Sequence, residues 1–181
     1  MVLFFGPPGS GKSVQGELLV VRNKCRWLST GQLFRDSSDP EVLKRMATGE
    51  LIDDELTNKV LDEALLNGDQ KARIVLDGYP RNTMQAKWLE ERLLSYNREI
   101  KCLIVFNVPK DELIKRLSGR GRTEDAPEVI ERRLNIYYER TKPVIDFYRK
   151  RKVPVYEING VGSVGVVHDR IQTAAEQCLR V

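Results

Sequence analysis

Eight consecutive residues near the N-terminus, Gly6-Pro7-Pro8-Gly9-Ser10-Gly11-Lys12-Ser13, combine the types needed to hold a phosphate group. Glycines let a backbone wrap so that successive N–H groups point inward. The lysine adds a cation, and the hydroxyl beside it can ligate a divalent metal. The spacing is G-x-x-x-x-G-K-[ST], the phosphate-binding P-loop. It follows the apolar run Val2-Leu3-Phe4-Phe5 and opens a helical pattern over residues 12–22, whose N-terminal dipole end also favours an anion. Val14 continues the loop. A second chemical position is Asp77, at the end of Ile74-Val75-Leu76-Asp77. An acid leaving a parallel strand beside such a loop can hold Mg²⁺ through water.

Elements that could position these residues alternate along the chain. The runs Val2–Phe5, Arg73–Leu76 and Cys102–Phe106 are apolar without alternation, as strands covered on both faces are. Arg26–Leu28 and Val153–Tyr156 are weaker strands, and Pro154 suggests an edge for the second. Between them lie helices over 12–22 and 84–96, the latter with an apolar stripe of Met84, Trp88, Leu89 and Leu93. A C-terminal stripe of Val164, Val167, Ile171, Ala175 and Cys178 has helical spacing. Strand–helix alternation predicts an α/β fold with a five-stranded parallel sheet. Two stretches depart from this scheme: a mostly helical insertion over 29–67 and a charged, glycine-containing loop over 118–127. Loops of this kind often carry function.

Composition bounds the partners. The chain has 181 residues, 41% hydrophobic and 31% charged, sufficient for one globular domain. No apolar run reaches a membrane span. A formal charge of +4 is low for a nucleic-acid binder yet suits a small polyanion. Cys25, Cys102 and Cys178 are scattered and odd in number; they read as core thiols in a reducing compartment, which makes the cytoplasm the expected location. His168, the lone histidine, reads as a packing or surface residue.

Asp77-Gly78-Tyr79-Pro80-Arg81, with Leu28-Ser29-Thr30-Gly31 and Arg35 upstream, resembles the adenylate kinase family of nucleoside monophosphate kinases from Gly6 to about Gly162. The resemblance implies a P-loop core, a monophosphate-binding segment over 29–52 and a short lid over 119–127. It implies ATP on Gly9, Ser10, Gly11, Lys12, Ser13, Val14, Arg116, Arg120 and Gly162. It implies AMP on Thr30, Arg35, Glu50, Leu51, Ile52, Gly78, Tyr79, Pro80, Arg81, Gln85, Arg122 and Arg133. Lys12, Arg81, Arg120, Arg122 and Arg133 would act on the transferring phosphate, with Mg²⁺ at Ser13 and, through water, Asp77. The expected activity is transfer from ATP to AMP by a monomer, with no zinc, membrane or nucleic acid involved. Thr30 and Gln85 favour AMP over UMP or CMP. A pyrimidine kinase, or a nucleotide-binding switch without efficient transfer, is the alternative. Val14 and Gln32 stand where the family usually has a hydroxyl and an acid.

Overall fold

The computed structural model describes residues 1–69 and 71–179. Five strands, β1 (Val2–Phe5), β2 (Arg26–Ser29), β3 (Ile74–Asp77), β4 (Cys102–Asn107) and β5 (Val155–Asn159), form one sheet in the order β2-β3-β1-β4-β5. Every pairing is parallel. The three central strands are the runs without alternation because helices cover both faces; β1 and β3 are buried at every residue. β5 takes the edge, and its pairing begins at Val155, after Pro154, whose nitrogen has no proton to donate.

One face of the sheet is covered by α1 (Lys12–Asn23) and α9 (Val164–Leu179). There Leu19, Val167, Ile171 and Ala175 pack on Val2, Phe4, Ile104 and Phe106. On the other face Leu61 and Leu65 of α4 (Asp54–Leu66), Leu89 and Leu93 of α5 (Thr83–Ser95), and Val144 and Tyr148 of α8 (Lys142–Lys150) pack on Leu3, Phe5, Leu76 and Leu103. Trp27 lies so close to Gly16 that a Cβ there would sit 2.0 Å from the indole. The remaining elements are α2 (Thr30–Ser37), α3 (Pro40–Ala47), α6 (Lys110–Ser118), a 3₁₀ turn at Thr123–Asp125, and α7 (Pro127–Ile136). A π-helical turn, Tyr137–Thr141, joins α7 to α8.

Several expectations are corrected. Cys102 and Cys178 form a disulfide, because the start of β4 and the end of α9 meet with a Cα–Cα distance of 5.9 Å; Cys25 is the free thiol. Distance in sequence concealed this neighbourhood. Met84 and Val164 are 65% and 53% exposed. Each sits in the first turn of its helix, one step off the buried stripe, which in α5 runs through Gln85, Ala86, Leu89 and Leu93. His168 is buried and its Nδ1 lies 3.1 Å from Gln15 Oε1, as a packing role requires.

In a parallel sheet all carboxyl ends lie at one edge. The register aligns Phe4 with Asp77 and Ile104, and Ser29 with Asp77. The P-loop, the Ser29–Thr30 junction, Asp77-Gly78 and Asn107 therefore all leave the sheet at that edge.

Candidate active site

The edge opens into a cavity of about 300 Å³. Its wall includes Gly6, Gly9, Gly11, Lys12, Ser13 and Val14 of the P-loop, Arg35, Asp77, Gly78, Tyr79, Pro80 and Arg81, and the arginines Arg116, Arg120, Arg122 and Arg133. Leu51 and Gly49 close it from the 29–52 segment; Ile136 closes it from the end of α7, and Tyr137 and Thr141 from the π-helical turn. Seven cationic side chains thus face one space, with Asp77 as the single acid among the described lining residues.

The loop leaves α1 without a side-chain cap. Gly11 adopts φ 92° at the N-cap, so the first N–H groups of the helix stay free for an anion. Lys12 Nζ donates to Gly6 O at 2.7 Å, Pro7 O at 3.0 Å and Ser10 Oγ at 3.3 Å. Burial lowers its pKa to about 8; Asp77 opposes the shift, and Arg81, Arg133 and Arg120 reinforce it. Gly78 has φ 77°, and a Cβ there would stand 2.8 Å from Thr30 Oγ1. That contact demands glycine, and Thr30 Oγ1 donates to Gly78 O at 2.9 Å.

Arg81 Nε donates to Gly78 O at 2.8 Å. Burial pulls its guanidinium below the usual range; Asp77 works against this and Arg35 with it. Arg35 is held by Gln32, whose Oε1 accepts from Nε and Nη2 at 3.3 and 3.1 Å. In the 118–127 loop Arg120 grips Asp125 through two bonds of 2.8 and 2.5 Å, and Arg133 Nη1 donates to Glu124 O of the same loop at 2.9 Å. Arg122 lies 3.7 Å from Glu124. Burial, more than the repulsion of Arg120, takes Arg133 down to about 10. Burial also opposes ionisation of Asp125, yet the bonds from Arg120 and the Arg122 N–H outweigh it and hold the carboxyl below its ordinary value. Arg116 bridges Glu112 and Gly160 O, tying the β5–α9 turn to α6.

Not every expected residue reaches the cavity wall. Ser10, Thr30 and Gln85 are buried behind it, Glu50 points to solvent, and Ile52 packs on Phe34 and Val42. Gly162 stands in the neighbouring turn with φ 130°. Sequence reasoning missed Thr141 and Tyr137. Thr141 Oγ1 donates to Arg81 O at 3.2 Å across 60 residues. Its only signal is a π-turn, which no apolar periodicity reveals but which often marks a site.

A divalent cation fits this chemistry. Asp77 Oδ1 is buried without a hydrogen-bond partner while Oδ2 accepts from Ser29 Oγ at 3.3 Å, and the Ser13 side chain is exposed in the cavity. Among the described residues no group of three His, Cys, Asp or Glu side chains gathers to hold a metal unaided, and no helix is long and apolar enough to cross a membrane.

Comparison with known proteins points to one family. The family model described as Adenylate kinase matches residues 4–153. The chain is 36% identical over 175 residues to the protein named adenylate kinase from Mycobacterium ulcerans (strain Agy99), covering 93% of this chain and 95% of that one. It is 38% identical over 179 residues to the adenylate kinase of Prochlorococcus marinus (strain MIT 9211), covering 96% and 95%. With one family model over residues 4–153 and relatives at 36% and 38% identity covering more than nine-tenths of both chains, the chain belongs to the adenylate kinase family.

Proposed function

We propose that this ATP:AMP phosphotransferase works by charge neutralisation alone, without a general base. The carrying observation is the meeting of Lys12, Arg35, Arg81, Arg116, Arg120, Arg122 and Arg133 around one cavity at the carboxyl edge of the sheet. Transfer of a phosphoryl group through a loose transition state asks for alignment and spread positive charge. The acceptor phosphate of AMP is already ionised, so no proton need be removed before attack. The γ-phosphorus is attacked by an AMP phosphate oxygen as its bond to the β,γ-bridging oxygen breaks, and two ADP result.

ATP lies along Gly9–Val14, with Arg116 and the turn at Gly162 beside its base. AMP takes the 29–52 segment, with its phosphate on Arg35 and Arg81 and its base near Thr30 and Gln85. Lys12, Arg120, Arg122 and Arg133 converge on the group in flight. Glu124 and Asp125 preset the lid arginines: the forked pairing of Asp125 holds the Arg120 guanidinium plane before substrate arrives, and single contacts tie Arg122 to Glu124 and Arg133 to Asp125. Bound Mg²⁺, held by Ser13 and through water by Asp77, would neutralise charge on the β- and γ-phosphates. Gln32 takes up Arg35 where the family usually has an acid, so part of the usual water network around the metal is replaced by support of the arginine.

A coupled assay of ADP formation tests this reading, with ATP plus AMP, dAMP, UMP or CMP, with and without Mg²⁺. Turnover on AMP and dAMP that needs Mg²⁺ supports it. Faster turnover on the pyrimidines assigns the chain to their kinases, and tight binding without turnover makes it a nucleotide switch.

A further inference from the structure

Gln85 is 2% exposed, and its amide is gripped at both ends. Oε1 accepts from the Arg81 backbone N–H at 2.7 Å, and Nε2 donates to Asp54 Oδ1 at 2.7 Å. The backbone N–H can only donate and an ionised carboxylate can only accept. The orientation of the amide therefore follows from chemistry: turned over, it would set N–H against N–H at one end and oxygen against oxygen at the other. Asp54 is itself fixed, since Asn82 Nδ2 donates to both of its oxygens at 3.0 and 3.1 Å. Asn82 cannot exchange roles, because its Oδ1 caps α5 by accepting from Gln85 N at 2.8 Å. Asp54 opens α4 and Gln85 belongs to α5. The lock thus ties the start of α4 to the first turn of α5.

A primary amide has two donors and two acceptor positions. After these bonds, one N–H and one lone pair remain. A 6-aminopurine edge presents an acceptor, N1, beside a donor, the exocyclic amine. A 6-oxopurine edge presents the same two positions with the roles exchanged. An amide free to turn over pairs with either base, whereas a locked amide pairs with one and leaves two polar groups unsatisfied against the other. Buried unpaired groups of that kind discriminate strongly.

We infer that Asp54 is a specificity-determining positioning residue: by locking the Gln85 amide it makes the monophosphate site reject 6-oxopurine nucleotides such as IMP and GMP. This rests on the proposed role of Gln85 at the base of the acceptor. No contact of Asp54 with substrate is needed.

The experiment measures kcat/KM with ATP for AMP, IMP and GMP in the wild type and in Asp54→Ala. Alanine removes the oxygen to which Gln85 Nε2 donates, so only the Arg81 N–H still favours the original amide and a 6-oxopurine edge can turn it over. The expected result is a rise of about tenfold or more in the IMP-to-AMP and GMP-to-AMP ratios. An unchanged ratio overturns the inference, whether AMP turnover is kept or falls, since a merely structural role would lower all three substrates together. Asp54→Ser, whose side chain is too short to place an oxygen where Asp54 Oδ1 stands, is measured beside it and must shift the ratio in the same direction if Asp54→Ala unfolds early in a thermal melt. A wild type inactive on AMP would instead overturn the functional reading itself, and that result is visible before any variant is made.

Discussion

Breaking the Cys102–Cys178 bond should weaken the fold greatly and the chemistry hardly at all. The bond closes a stretch with a sequence separation of 76. Loop-closure entropy for that length corresponds to about 4.5 kcal/mol at 25 °C, taking the unfolded chain as random. An unfolding entropy of roughly 2.1 cal/mol/K per residue over 181 residues turns this into a ceiling of about 12 °C in Tm. The bond joins the first residue of β4 to the end of α9, and Cys102 pairs with Val2, at the edge of the sheet opposite the P-loop. Calorimetric melts of wild type and Cys178→Ser, each with and without reductant, would show the oxidised wild type melting about 6–12 °C above the other three samples. Turnover at 25 °C should agree within about twofold among all four, since the site edge is untouched. Thiol titration of the denatured, unreduced wild type should find Cys25 alone. Titration of all three cysteines, or melts that do not respond to reductant, would refute the reasoning.

The charges at the cavity give further expectations. Arg81→Ala removes a cation that has no direct carboxylate partner among the described bonds, so kcat should fall by about 10²–10³ while Tm moves by only a few degrees; equal loss of both would make Arg81 structural. Thr141→Val deletes the donor to Arg81 O and should lower kcat by about tenfold at unchanged KM for ATP, with Thr141→Ser restoring it. A serine variant as weak as the valine would assign Thr141 to packing. Lys12 has a pKa of about 8 in the folded protein against 10.5 in an open chain, so its buried charge opposes folding below about pH 8 and stability gains as pH rises between those values. Phosphate restores the charge, so ATP binding above pH 8 should weaken with pH and take up a proton; binding heats that do not depend on buffer ionisation enthalpy at pH 8.5 would contradict this.

Phosphate chemistry was legible in the sequence because it is local. Eight adjacent residues build the loop, and a short apolar run before it fixes where the loop leaves the sheet. The parallel order of the strands was legible too, since burial on both faces abolishes alternation and helical crossovers permit little else. Family resemblance named the arginines, yet in the sequence Arg35 lies in α2, Arg81 in the β3–α5 loop and Arg133 in α7, and nothing local says that they share a space. Tertiary structure decided that, by aligning Ser29, Asp77 and Phe4 at one edge and folding α7 back over it. It also decided what no periodicity encodes: that Cys102 meets Cys178, that a π-turn brings Thr141 to Arg81, and that Asp54 faces Gln85. Each of these is a contact between residues many positions apart, made by side chains whose partners depend on how whole elements pack; patterns within a single element carry no record of them.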